Sequence, residues 1–274
     1  MVQVWAQRID MSKEYDFVIG LAREAGTRLK AASKRAFETM AKGGDERDVV
    51  TSVDFEINAF LVEEITKAFP QDRVSSEEGG GVEGRGGREW VLDPVDGSAN
   101  FSRAIPHYAV CAALLVEGVP SVGAVYNPMT DELFSFEKGQ GAFLNGEKIS
   151  VSAITDPVRA QGIIVVGHQP PLWDWGAATY RSFLEGLKKL KALGSSALDL
   201  CFVAAGRVDI VVYGTLTTRD TAAAIGILRE AGGEVYAPHG AIAELSESRQ
   251  TIVATANREL FDASSSLLHT NLLP

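Results

Sequence analysis

The stretch that most constrains this chain is Trp90-Val91-Leu92-Asp93-Pro94-Val95-Asp96-Gly97-Ser98-Ala99-Asn100-Phe101. Its apolar start reads as a short buried strand ending at Asp93. Pro94 has no amide to donate and a fixed φ, so the strand must turn there. Asp96-Gly97 continues the turn, because glycine adopts backbone angles that are costly for other residues. Ser98 is placed to cap the helical turn that follows. Asp93 and Asp96 flank this corner and can converge on one point, with Asp96 on an exposed loop. At about 4 Å and an effective dielectric near 20, two such charges repel by roughly 4 kcal/mol. A cation between them turns that cost into binding. Asp-Pro or Asp-Gly alone is ordinary loop chemistry; both together, after an apolar strand and before a serine, point to a site.

Around this corner the chain alternates recognisable periods. Phe17, Leu21, Ala25, Leu29 and Ala32 recur at helical spacing and predict a long amphipathic helix over 12–35. The segment 37–50 is polar, charged and broken by Gly43-Gly44, which predicts a mobile loop or hairpin. A second helix is expected over 51–69, with Phe55, Leu61, Ile65 and Phe69 on one side and Pro70 ending it. A short strand at 74–78 leads into the glycine-rich loop 79–87, which lets Glu77 sit beside Asp93. That loop lacks the Gly-Lys-Ser/Thr ending of a nucleotide-binding P-loop. Strands follow at 108–116, 121–126, 133–137 and 149–152, the last after an Asn145-Gly146 hairpin turn. From 156 onward strands and helices alternate. A strand is expected at 163–166, and Tyr180, Phe183, Leu184, Leu187 and Leu190 mark a helix. Ser195-Ser196 open a helix through Ala205, and a strand covers 207–213. A helix from Asp220 closes at Gly232-Gly233, then come a strand at 251–254 and a last helix through Leu268. The fold class is therefore α/β, with α+β layering. Two domains are expected, an N-terminal α+β unit over 1–153 and an α/β unit over 154–274 that completes the site.

Charge narrows the task. With 26 basic and 36 acidic residues the net charge is −10, which argues against nucleic acid or an anionic membrane as partner. An acidic protein that binds an anionic substrate needs metal cations to reverse the local field. Cys111 and Cys201 lie in apolar surroundings and read as free thiols in a reducing compartment. No apolar run approaches membrane-span length and the N-terminus has no apolar leader, so a cytoplasmic location is expected.

Glu77, Asp93, Asp96 and Asp220 stand at the ends of elements, where carboxylates either cap helices or bind ligands. Asp54 reads first as a helix cap in the same sense. Hard oxygen donors without nearby histidine or cysteine select Mg²⁺, or Mn²⁺, over zinc. His107, His168, His239 and His269 show no metal spacing and read as surface or packing residues.

The run Val91 to Phe101 resembles the signature of the inositol monophosphatase family. Ser76-Glu77-Glu78, Thr51 to Asp54, Asp220 with Ala231-Gly232-Gly233, and Gly139 to Gly146 add further matches, together covering roughly 12–260. The resemblance implies an αβαβα sandwich and a lithium-sensitive phosphomonoesterase using two or three Mg²⁺. By that likeness Glu77, Asp93 and the Val95 carbonyl hold one metal, and Asp93, Asp96 and Asp220 hold a second. Glu77 helps with a weaker third. Gly97 and Ser98 present amides to the phosphate, the attacking water lies beside Glu77 and Ser98, and Asp54 behind Ser98 is its proton partner. The Lys42 to Asp45 segment is the mobile loop.

Departures bear on substrate. Ser98 stands where the family usually has threonine, Ser76 where glycine is usual, and Arg219 where tryptophan is common. Tyr213-Gly214 falls where inositol-specific members place a sugar-binding glutamate. Ser195, Ser196 and Arg219 remain candidate substrate contacts with Asp96, Gly97, Ser98 and Asp220. The expected substrate is a small phosphate ester, first inositol 1-phosphate, with fructose 1,6-bisphosphate, histidinol phosphate or a 3′-phosphonucleotide as alternatives. A non-catalytic phospho-ligand sensor is the alternative of another class, and a homodimer is the expected assembly.

Overall fold

The computed structural model describes residues 11–42, 44–167, 169–217 and 221–273. The first half contains α1 (Lys13–Ala32), a hairpin of β1 (Thr39–Lys42) and β2 (Asp45–Thr51), then α2 (Ser52–Ala68), β3 (Arg73–Ser76), β4 (Arg88–Asp96) and α3 (Ser98–Ser102). It continues through β5 (Ala109–Val116), β6 (Val119–Asn127), β7 (Glu132–Glu137), β8 (Gly141–Leu144) and β9 (Glu147–Ile149). The second half contains β10 (Gln161–Val165), α4 (Trp173–Gly186), β11 (Lys189–Lys191), α5 (Ser196–Ala204), β12 (Ile210–Thr217) and α6 (Ala222–Glu230). It ends with β13 (Glu234–Tyr236), β14 (Arg249–Thr255) and α7 (Arg258–Ser264).

The first sheet has the order β3-β4-β5-β6-β7-β8-β9, antiparallel throughout except for the parallel β3–β4 pair. The second has the order β11-β10-β12-β14-β13. Helices α1 and α2 cover one face of the first sheet through Leu21, Leu29, Ile57, Leu61, Trp90 and Leu92. Helices α5 and α6 lie between the sheets, where Leu200, Val203, Ile225 and Leu228 meet Cys111 and Phe134 on one side and Val211 and Ala254 on the other. Helices α4 and α7 close the outer face with Trp175, Phe183, Leu260 and Phe261. Helix, sheet, helix, sheet, helix is the αβαβα sandwich, an α/β fold.

Local chemistry explains the element ends. Ser12 caps α1 by accepting from the Tyr15 amide, and Thr51 with Asp54 forms a reciprocal capping box on α2. Gly26 is needed for contact, since a Cβ there would lie 2.3 Å from the Tyr126 ring. The segment 37–50 contains a β-hairpin. Several expectations shift. Phe55 is exposed, and α2 buries Val53, Ile57, Leu61 and Ile65 instead. The strand expected at 149–152 lies at Glu147–Ile149, and Leu190 belongs to β11 rather than to the helix ending at Gly186. Strand β4 does not stop at Asp93 but runs through Pro94 to Asp96. Both cysteines are buried and free, and no described helix is long and apolar enough to cross a membrane.

Candidate active site

The site grows from the irregular end of β4. The ladder between β4 and β5 slips between Asp93 and Asp96, where Pro94 contributes no N–H. The Val95 amide donates to Asp93 Oδ1 at 3.1 Å and fixes that side chain. Gly97 has φ 93°, in the left-handed region, and the chain there turns directly into α3. Gly97 rather than Ser98 is thus the cap residue, and the Ser98 hydroxyl is turned elsewhere. It donates to Asp54 and lies 2.9 Å from the Val95 carbonyl oxygen. One hydroxyl proton serves one of these acceptors well. Burial pushes the Asp54 carboxyl above its ordinary 3.8, against the pull of hydrogen bonds from Ser98 and Thr51. Asp54 therefore both caps α2 and partners Ser98.

Asp96 is not on an exposed loop; it is 7% exposed. Ser195 donates its hydroxyl to it, and Ser196 adds its amide at 3.0 Å and its hydroxyl at 2.8 Å. The Ala197 amide gives a fourth bond at 3.0 Å. The start of α5 offers unpaired amides and a favourable dipole, and Asp96 supplies the anion that both want. Burial pushes its carboxyl up, those hydrogen bonds pull it down, and nearby Asp199 pushes it up again. Asp199 is fully buried behind it, accepting from the Tyr213 hydroxyl at 2.7 Å and facing His107 Nε2 at 3.0 Å. His107 thus has a specific partner, and burial beside Asp199 holds the Tyr213 phenol well above its ordinary 10.0. Tyr213 points into this network, not to solvent. Sequence reasoning offers Asp199 only as a surface partner for Arg219, whereas it is fully buried; the available signal was a lone carboxylate in the apolar run Ala197-Leu198-Asp199-Leu200.

The opposite wall is held by ion pairs. The Glu77 amide donates to the Leu92 carbonyl at 3.2 Å, prolonging the β3–β4 pairing and setting Glu77 alongside the Asp93 corner. Lys42, at the end of β1, bridges Glu77 and Glu78 at 2.7 Å each. Burial alone would lower the Lys42 ammonium, but the two glutamates outweigh it and hold it above its ordinary 10.5. Burial pushes Glu78 up, with Lys42 opposing.

Between the two walls lies one polar cleft, open to solvent. Glu77, Asp93, Val95, Asp96, Gly97, Ser98 and Ser196 all face it, together with Lys42, Arg47, Asp48 and Arg249. Ser195 lies beneath the surface at 1% exposure, and Asp54 stands behind Ser98. Arg219, Asp220 and His168 lie outside the described residues, although the flanking Thr217 and Thr221 border the cleft. Arg249 was not legible as a site residue, because an arginine at a strand start looks like any surface arginine.

Residues 10–272 match the description of the inositol monophosphatase family. The chain belongs to that family. It is 33% identical over 252 residues to the Nus factor SuhB of Pasteurella multocida, spanning 90% of this chain and 93% of that one. It is 34% identical over 223 residues to a fructose-1,6-bisphosphatase/inositol-1-monophosphatase of Thermotoga maritima, spanning 80% and 83%. The crystal structure of extragenic suppressor protein SuhB from Bartonella henselae superposes with a TM-score of 0.88 at 29% identity, covering 94% and 99% of the two chains.

Inositol monophosphatases are metal-dependent phosphatases, so the donor set is the next test. Among the described residues no three His, Cys, Asp or Glu side chains converge closely enough to grip an ion by themselves. The chemistry nonetheless fits a hard divalent cation. Three carboxylates, Glu77, Asp93 and Asp96, and the Val95 backbone border one polar cleft, and the Lys42 ammonium already brings positive charge to Glu77.

Proposed function

We propose that this protein is a Mg²⁺-dependent phosphomonoesterase acting on a small phosphorylated polyol or sugar, with inositol 1-phosphate the first substrate to test. The observation that carries the reading is the Asp54–Ser98 pair, which meets the carboxylates of Glu77, Asp93 and Asp96 at one cleft. Glu77, Asp93, Asp96 and the Val95 carbonyl would hold Mg²⁺, with Asp220 completing the set; Mn²⁺ suits the same donors. When bound, the metal supplies Lewis acidity and lowers the pKa of water. Ser98 orients the attacking water and relays its proton toward Asp54, whose burial favours taking it up. The Gly97 and Ser98 amides would be presented to the phosphate. Tyr213, turned inward to Asp199, offers no sugar contact, so recognition falls to Ser196 and to the rim of the cleft.

A homodimer fits the exposed apolar face of α4, where Trp173, Tyr180 and Leu184 are 50%, 41% and 56% exposed. The net charge of −10 supports a role without nucleic acid or membrane contact, and two free thiols suit the cytoplasm. A second reading, a non-catalytic binding role, is favoured by the Nus factor name of the SuhB relative. The retained carboxylates and the Ser98–Asp54 pair favour catalysis. Phosphate release from a panel of phosphate esters, with Mg²⁺ and with chelator, decides between them. Mg²⁺-dependent release supports the phosphatase, and no release from any ester overturns it.

A further inference from the structure

The cleft has two ends of opposite charge. Its floor is acidic, with Glu77, Asp93 and Asp96, whereas Arg47 and Arg249 stand at its mouth. Arg47 lies on β2 and Arg249 opens β14, opposite Thr217 of β12, which also borders the cleft. Two carboxylates of the hairpin already engage these guanidinium groups. Arg47 holds Asp45 through Nε at 2.9 Å and Nη2 at 2.8 Å. Arg249 reaches Asp48 at 3.4 Å, across 201 positions of sequence. Asp48 itself borders the cleft, so an anionic oxygen sits against Arg249 at its mouth. Both arginines are more than half exposed, at 53% and 54%, so their pairs are weak and open to exchange. Lys42 is committed differently, to Glu77 and Glu78.

Resting on the phosphatase reading, we propose that Arg47 and Arg249 form a subsite for a second anionic group, and that the preferred substrate is a phosphate monoester carrying a further phosphate or carboxylate. The scissile phosphate occupies the floor, and the second anion replaces Asp48 on Arg249. A neutral polyol phosphate leaves the rim unused. Guanidinium suits this task because its planar fork matches phosphate and carboxylate oxygens.

The test compares fructose 1-phosphate with fructose 1,6-bisphosphate in the presence of Mg²⁺. The readout is the ratio of kcat/KM for bisphosphate over monophosphate. Arg249→Gln should lower that ratio about three- to fivefold, a loss scaled to an exposed, screened pair. Arg47→Gln should lower it in the same direction. Asp48→Asn, which removes the competing carboxylate, should raise it. A ratio unchanged within about twofold in both arginine variants overturns the subsite. If the wild type releases phosphate from neither fructose ester, calorimetric titration with fructose 1,6-bisphosphate judges the subsite instead, and the phosphatase reading fails only if the whole panel of phosphate esters is silent too. Weaker binding by Arg249→Gln then supports it, and equal binding overturns it.

Discussion

The two walls of the cleft are built on opposite principles. On one, Asp96 and Asp54 are buried at 7% and 1% exposure, and every described partner is a short, fixed group: a serine or threonine hydroxyl or a helix-start amide. On the other, Lys42, Arg47 and Arg249 reach through long side chains on a hairpin or strand end to pair with Glu77, Asp45 and Asp48 in turn. Buried networks are costly to disturb because an unpaired group there keeps its full desolvation penalty. Surface pairs contribute roughly 0–1 kcal/mol and rearrange freely. The contrast suits a phosphatase. The floor must present charge in fixed geometry to the reacting centre, while the rim must admit ligand and release product.

The largest expected effect comes from breaking the rigid wall. Asp96→Asn removes one charge and leaves at least one of the α5 donors without an acceptor, which costs about 1–3 kcal/mol. For a chain of this size that lowers the melting temperature by roughly 2–4 °C per kcal/mol. Turnover should fall well beyond tenfold, a threshold of about 1.4 kcal/mol. A variant that keeps more than about a tenth of the rate denies Asp96 a part in catalysis. An unchanged melting temperature shows instead that Asp96 does not brace α5.

Next in size is Ser98→Ala, which cuts the link between Asp54 and the cleft. Its kcat should drop about tenfold or more while KM moves little, as expected when a group acts in the transition state. Equal changes in both constants would reduce Ser98 to a binding contact.

The flexible wall should respond more gently and in the opposite direction. Lys42→Met removes the ammonium that occupies Glu77, so Mg²⁺ should bind about three- to fivefold more tightly in calorimetric titration without substrate, the worth of one partly exposed ion pair. Unchanged or weaker Mg²⁺ binding would show that the hairpin does not compete for that carboxylate.

The smallest effect is a pH dependence carried by Asp54. Its folded pKa is raised by burial, so between the ordinary 3.8 and the higher folded value the native state binds more protons than the unfolded one. Its contribution is therefore most favourable at low pH and is lost as pH rises through the folded value. Thermal melts of wild type and Asp54→Asn, taken from about pH 3.5 to 7, should show the wild type losing ground relative to the variant as pH rises. A difference that is flat with pH, or of opposite slope, would mean that Asp54 is not held toward its protonated form.

Much of the floor was legible because its chemistry is local. A proline without an amide, a glycine at positive φ and an aspartate folding back on the Val95 amide all act within five residues. The same holds for α1, for the Thr51–Asp54 capping box and for the Asn145-Gly146 turn, where φ is 50° and 83°. The αβαβα layering and its phosphatase family followed from the motif resemblance. Periodicity was weaker where packing chooses the face. Phe55 had the right spacing but α2 turned it outward, and Leu190 continued a helical pattern into a strand.

What the chain by itself determined is the tight turn at the end of β4 and the groups it carries: the carboxylates of Asp93 and Asp96, Gly97 at positive φ and the Ser98 hydroxyl. The tertiary structure alone decided what those groups are bonded to. Asp96 meets Ser195, Ser196 and Ala197 at separations of 99–101 residues, and Arg249 meets Asp48 at 201. Asp199 is carried to full burial beside His107 and Tyr213. No local periodicity encodes such pairings, because they exist only once α5 and α6 are packed between two sheets from opposite halves of the chain. Hydrophobic burial brings those layers together without regard to direction, and the polar groups left inside must then find partners wherever the packing has put them.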